Sequence, residues 1–169
     1  MATTDHDYDR ARSELHLIAE LILAGSQHRE SDTVRLTASN GQISTTKEPA
    51  ISLDVAGLHF RGETVALQGS VADLAQAASV QAIRPDVVYH DAVPGDAATL
   101  LTATPEAIAE VLRVYTIGAE AMAAFSQEVA VLWPEHFDLA IRVDEVNYGI
   151  SPGDGYSPKP HSTCVPYSP

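Results

Sequence analysis

The chain has 169 residues, with 23 Asp or Glu against 10 Lys or Arg, which gives a formal net charge of −13. This acidity excludes a general nucleic-acid binder, because phosphate contacts require clustered Lys and Arg, and it argues against attraction to an anionic membrane surface. The length favours one domain over residues 1–169.

The first predicted element is an amphipathic helix. Apolar residues recur at three- and four-residue spacing over residues 9–28, and Gly25 is its predicted stop. Glu14 and Glu20 lie elsewhere on the helical wheel, away from the apolar stripe.

Short strands follow over residues 33–67, where apolar and polar residues alternate. Asn40 and Gly41 form a strong hairpin signal, because both tolerate a positive φ. The segment therefore predicts a meandering antiparallel sheet.

Two further helices and a less regular segment follow. Ser70 caps a predicted short helix over residues 71–78, and residues 87–89 could form a short strand. Thr104 and Pro105 mark a strong helix start, and the apolar stripe behind them predicts a helix that ends before Val129.

The last predicted element is a hairpin with Asp144 and Glu145 as its two-residue turn. In that register Val143 faces Val146, and one apolar face packs against the helices. The fold class is therefore α+β, an antiparallel sheet of short strands and hairpins packed against two main helices.

Chemistry-bearing side chains collect on the other face of this hairpin. With the neighbouring Trp133, they form the candidate ligand-binding set: Trp133, His136, Asp138, Arg142, Asn147 and Ser151. His136 and Asp138, two apart on a predicted strand, point the same way and could present two ligands to a metal or orient an imidazole.

Three interpretations of this face remain open. It could simply be solvated, it could bind a small ligand or a metal ion, or Ser151, His136 and Asp138 could act as a nucleophile system in a hydrolase. The third is disfavoured by the lack of a Gly-x-Ser-x-Gly nucleophile elbow. No residue pattern identifies a cofactor or a reaction.

The tail, residues 151–169, contains five prolines and lacks periodicity, so it is predicted to be irregular loop. Cys164 is the only cysteine, the N-terminus lacks a secretory signal pattern, and no run approaches the roughly 18 to 20 apolar residues of a membrane helix. We therefore expect a cytoplasmic protein, and we leave a homo-oligomer open.

Two runs, residues 132–140 and 146–158, carry a Trp-Pro-Glu-His-Phe-Asp … Val-Asn-x-Gly-x-Ser-Pro-Gly-Asp pattern. This pattern resembles a family of uncharacterised bacterial proteins without an established activity. Residues 160–166 depart from what the resemblance implies, which is an aromatic, Gly-containing strand. The expectation is a C-terminus that is shortened or altered relative to that family and a sheet that lacks one strand.

Charge is unevenly distributed along the chain. Residues 1–84 carry a net charge of −4 and residues 85–169 carry −9, so the acidity belongs chiefly to the half that contains the hairpin. We therefore expect a cationic or neutral small ligand there, with a protein-interaction or structural domain as the alternative and a hydrolase with His136 as base as the second alternative.

Overall fold

The computed structural model describes residues 3–86 and 93–166. The helical segments are α1 (Asp5–Ile18), a π-helical segment (Ala19–Ala24), α2 (Gly25–Ser31), α3 (Val71–Ala77) and α4 (Pro105–Phe125). The strands are β1 (Leu36–Ser39), β2 (Gln42–Thr45), β3 (Ile51–Asp54), β4 (Gly57–Phe60), β5 (Glu63–Val65), β6 (Val131–Trp133), β7 (Asp138–Val143), β8 (Val146–Ser151) and β9 (His161–Pro166).

All nine strands join one antiparallel sheet in the order β5-β4-β3-β2-β1-β6-β7-β8-β9. Burial alternates along the strands, as in β1 and β7, so the helices cover one face of the sheet and the other face is partly open. The α+β fold class predicted from the sequence is confirmed. In the described residues, no helix is long and apolar enough to cross a membrane.

Capping and turn residues fix the element boundaries where the sequence predicted them. Asn40 and Gly41 both have positive φ, 52° and 75°, and join β1 to β2. Ser70 and Asp73 form a capping box at α3, and Thr104 accepts a hydrogen bond from the backbone N–H of Ala107 at the start of α4. The helix start at Thr104 and its end before Val129 are confirmed.

The N-terminal helix differs from its prediction. Helical backbone runs from Asp5 to Ser31 with a π-helical middle, so Gly25 does not end it. A Cβ atom at Gly25 would lie 2.0 Å from the backbone oxygen of Ile83, so this glycine permits a close approach between two segments of backbone.

The tail prediction is wrong over His161–Pro166, which form β9 and pair with β8 from Ser151↔His161 to Val146↔Pro166. Prolines cluster on either side of this strand, and they indicated a loop. The strand also shows no alternation of apolar and polar residues, because both of its faces are exposed. The predicted short strand at residues 87–89 lies outside the described residues.

Candidate ligand-binding groove

A groove lies on the sheet face opposite the helices, across β6, β7, β8 and β9, and has a volume of about 800 Å³. Five of the six candidate residues line it: Trp133, His136, Asp138, Arg142 and Asn147. The structure thus brings these side chains together, and their role as ligand contacts stays a prediction.

The hairpin register explains this grouping. Asp144 and Glu145 have φ values of 49° and 62°, as a two-residue turn requires, and Val143 pairs with Val146 as predicted. Arg142 then lies opposite Asn147, and both point away from the helices because side chains alternate along a strand.

Ser151 does not join the groove. The residue is buried, pairs with His161 of β9, and its hydroxyl accepts a hydrogen bond of 3.1 Å from the backbone N–H of Gly153. The structure therefore does not bring Ser151 together with the other five candidate residues. A serine nucleophile beside His136 has no support in this geometry, since the hydroxyl is engaged in a turn.

His136 reaches the groove by a different route from the one predicted. β7 begins at Asp138, so His136 lies in the turn before the strand and the expected two-residue strand spacing does not apply. The backbone N–H of Phe137 donates to the carbonyl of Trp133 at 2.8 Å and closes this turn. His136 itself is exposed and lines the groove beside Asp138.

Buried side chains contact the turn before β7 on the side that faces the core. Phe137 is buried and stacks on the imidazole of His16, with ring centroids 4.7 Å apart. The hydroxyl of Tyr115 donates to the carbonyl of Phe137 at 2.7 Å. These contacts fix the backbone that presents His136 and Asp138, because a buried aromatic pair and a satisfied carbonyl leave the turn little freedom.

Two carboxylates give the groove its electrostatic character. In both Asp138 and Glu135, one carboxylate oxygen is buried and has no hydrogen-bond partner among the described residues. Burial raises the pKa of Asp138, an effect that the charge of His136 partly offsets. Uncompensated carboxylates of this kind are costly unless a donor reaches them.

The two arginines of the groove are engaged with other side chains. The Arg35 guanidinium lies over the Trp133 ring, 5.4 Å from its centroid, and Arg142 donates to Glu145 at 2.6 Å. Arg35 therefore occupies one face of the indole, and the carboxylates of Asp138 and Glu135 are the groups left for an incoming donor.

The predicted metal pair, His136 and Asp138, gains no further ligand. Within residues 3–86 and 93–166, no three His, Cys, Asp or Glu side chains come together in a way that could hold a metal ion. A protein metal site normally needs three or four such ligands. The assignment of His136 and Asp138 to a metal ion stays a prediction.

Sequence reasoning missed a buried polar cluster behind the groove. Glu20, in the π-helical segment, is fully buried and its carboxylate is paired with Arg84. It also accepts the backbone N–H of Val93 at 3.2 Å. π-Helical turns often occur at functional sites. The sequence signal for this cluster is a lone acid inside an otherwise apolar helical run.

His16 connects this cluster to the groove. Its Nε2 lies 2.6 Å from the carbonyl oxygen of Pro134, in the turn that carries His136. Because a carbonyl can only accept, Nε2 is the protonated ring nitrogen. Burial lowers the pKa of His16 to about 4, so the imidazole is neutral at physiological pH.

Because Asp138 is partly buried, we predict that removal of its charge stabilises the folded protein. Asp138→Asn is expected to raise the free energy of unfolding at neutral pH by about 0.5–2 kcal/mol, because the amide carries no charge that burial would destabilise. Burial raises the pKa of folded Asp138 above its ordinary value of 3.8. The stability of the wild type therefore falls as the pH rises from 3.8 to this higher pKa. The gain should therefore disappear at pH values below 3.8.

Urea unfolding of both proteins across this pH range measures the difference. The exposed Asp86, as Asp86→Asn, is the matched control and should change little. A loss of stability in Asp138→Asn would instead mean that the carboxylate supports the fold, and would remove the premise of a site.

Comparisons of this chain with protein-family models, with curated proteins and with solved structures found no match.

Proposed function

We propose that the chain binds a small cationic or neutral molecule in the groove, through the carboxylates of Asp138 and Glu135. The observation that carries this proposal is the pair of partly buried carboxylates, each with one oxygen that no described donor reaches. Both oxygens are enclosed in the unliganded protein, so a donor group of the ligand, such as an amine or a hydroxyl, reaches them only when the surrounding groove side chains move.

Size supports a small ligand. Pockets for metabolite-sized molecules have volumes of roughly 300–1,000 Å³ and combine apolar walls with a few polar groups. The groove, at about 800 Å³, is in this range, and Val131, Trp133 and Val165 supply apolar surface beside the carboxylates.

Charge favours a cation over an anion. Glu128, Glu135 and Asp138 line the groove against the two cations Arg35 and Arg142, and the carboxylate of Glu145 offsets the charge of Arg142. The surrounding half of the chain is also the more acidic half, which raises the local concentration of cations and repels anions.

A thermal-shift panel tests the proposal with primary amines and diamines, guanidinium compounds, uncharged polyols, and dicarboxylates as the anionic arm. At one hundred times Kd, a ligand stabilises the folded state by about 2.7 kcal/mol, so a cationic or hydroxyl compound should raise the melting temperature. Dicarboxylates should not raise it.

Asp138→Asn should abolish the shift, and Asp86→Asn should retain it. A panel without any shift, or an equal shift in Asp138→Asn, would refute binding through this carboxylate.

A cytoplasmic location belongs to the same proposal, as does kinship with the uncharacterised bacterial family that the chain resembles.

The hydrolase alternative now depends on His136 alone. With Ser151 buried in a turn, His136 would have to activate water, and the exposed imidazole beside Asp138 is the feature that keeps this alternative open. Turnover of a generic ester, amide or phosphate substrate that His136→Ala abolishes would support it.

A further inference from the structure

We infer that β9 pairs with β9 of a second copy of this chain, which joins two sheets edge to edge and sets two grooves side by side. This interaction surface does not depend on the proposed ligand.

β9 is the last strand at one edge of the sheet and pairs with β8 on one side only. Its residues 162–166 are exposed, and in the part of the chain that the structure describes no other strand adjoins them. In an antiparallel edge strand, half of the backbone N–H and C=O groups point outward without a strand partner. The outer side of β9 therefore offers a row of backbone donors and acceptors.

Among the described residues, β9 lacks the features that usually protect an edge strand. Natural edges are blunted by short strands, charged side chains, central prolines or bulges. β9 has six residues, none of them Lys, Arg, Asp or Glu, and its only proline is the terminal Pro166. The opposite edge, β5, has three residues and begins with the exposed Glu63, so it is protected in the ordinary way.

A second copy fits this edge better than an unrelated strand. A two-fold axis perpendicular to the sheet places two identical strands antiparallel and matches their lengths automatically. The chain carries a net charge of −13, so two copies repel one another over most of their surfaces. The uncharged seam of β9 is a place where they can meet without like charges across the interface.

The same axis has a consequence for the groove. A perpendicular two-fold axis keeps equivalent faces of both sheets on the same side. Thr163 and Val165 of β9 line the outer wall of the groove. In the paired sheet this wall would become the shared partition between two grooves, and each copy would help to enclose the site of the other.

A six-residue seam is a small interface. Such contacts belong to the weak class, below roughly 1,200 Å² of buried surface, so we expect a dissociation constant of about 10–100 µM. Sedimentation equilibrium of the full chain from about 5 to about 500 µM covers this range and should show a reversible monomer–dimer equilibrium.

Thr163→Lys should weaken the dimer at least about tenfold, because it places like charges across the seam. Thr64→Lys on the opposite edge is the matched control, since Thr64 is also an exposed strand threonine, and it should leave the equilibrium unchanged. A chain that stays monomeric at the highest concentration would overturn the inference, as would a dimer that Thr163→Lys does not weaken.

Cys164 supplies an independent measurement, because it is exposed and is the only cysteine. A short bismaleimide should link two copies through Cys164 and give a covalent dimer on a denaturing gel. The double variant Cys164→Ser, Thr64→Cys should give no such product. Crosslinking from position 64 but not from Cys164 would place the contact on the other edge and contradict the inference.

Discussion

We expect Arg84→Met to lower the free energy of unfolding by about 2–4 kcal/mol, because it leaves the buried carboxylate of Glu20 without its partly exposed counter-ion. Glu20 is fully buried and pairs with the Arg84 guanidinium. Arg84 also donates to the carbonyl of Val93 at 2.9 Å, so the substitution releases a backbone acceptor as well. Urea unfolding at neutral pH measures the loss.

The pH dependence separates lost charge pairing from lost packing. Burial raises the pKa of Glu20 above its ordinary value of 4.5, although Arg84 opposes that shift. A carboxyl with a raised folded-state pKa destabilises the protein progressively as the pH rises through that pKa. Without Arg84 the pKa of Glu20 rises further, so the loss in Arg84→Met should be larger at about pH 8 than at about pH 5.

The double variant Glu20→Gln, Arg84→Met is the control for this pair. It removes both charges and keeps a side-chain oxygen that can accept the N–H of Val93, so it should be more stable than Arg84→Met alone. A loss below about 1 kcal/mol in Arg84→Met, or a loss independent of pH, would mean that the pair is not buried as a charge pair.

Gln27→Leu is expected to cost about 3 kcal/mol or more, because it leaves several backbone groups without partners at once. The Gln27 amide is fully buried and donates to the carbonyls of Thr33 and Arg35 at 3.0 and 2.8 Å. Its oxygen accepts the N–H groups of Thr46 and Lys47 at 2.6 and 2.7 Å. One side chain thus joins α2 to the segments that flank β1 and β2.

Each unsatisfied buried group costs about 1–3 kcal/mol, less wherever water can enter. The exposed Gln76 of α3 provides the control, since Gln76→Leu should change stability by no more than about 0.5 kcal/mol. Thermal and urea unfolding of both variants give the comparison. Equal stability of Gln27→Leu and Gln76→Leu would contradict the role assigned to the buried amide.

The local pattern of the sequence was sufficient for the hairpin and its open face. Leu139, Ile141 and Val143 alternate up to the turn at Asp144, and a slip of one residue would expose all three. That constraint fixed the register, which the structure confirms. The grouping of Arg142 and Asn147 in one groove followed from this register alone.

The acids of the first helix show where local pattern fails. The helical wheel placed Glu14 and Glu20 away from the apolar face of the helix, yet both side chains are buried. Glu14 accepts hydrogen bonds from the backbone of Thr102 and Ala103, and Glu20 pairs with Arg84. The π-helical segment changes the angular period at Glu20, whereas Glu14 lies in regular α-helix before it. The partners of both acids lie far away in the sequence, so a 3.6-residue wheel could not find them.

The predictions for Ser151 and for the tail that contains β9 differ from the structure for a related reason. The side chain of Ser151 was assigned to the open face by alternation, but β9 covers the strand end and a turn captures its hydroxyl. Strand pairing between residues that lie ten to twenty positions apart depends on the whole sheet, and the prolines around β9 gave a local signal for loop.

The most direct test of the groove is the fluorescence of Trp133, the single tryptophan of the chain, which lines the groove. Titration with a diamine and with a dicarboxylate at pH 7.5 compares the two charge classes in wild type and in Asp138→Asn. We predict a saturable change with the diamine in wild type that is lost in Asp138→Asn, and no change with the dicarboxylate. A response to the dicarboxylate, or an undiminished diamine response in Asp138→Asn, would contradict a cation-binding groove built on Asp138.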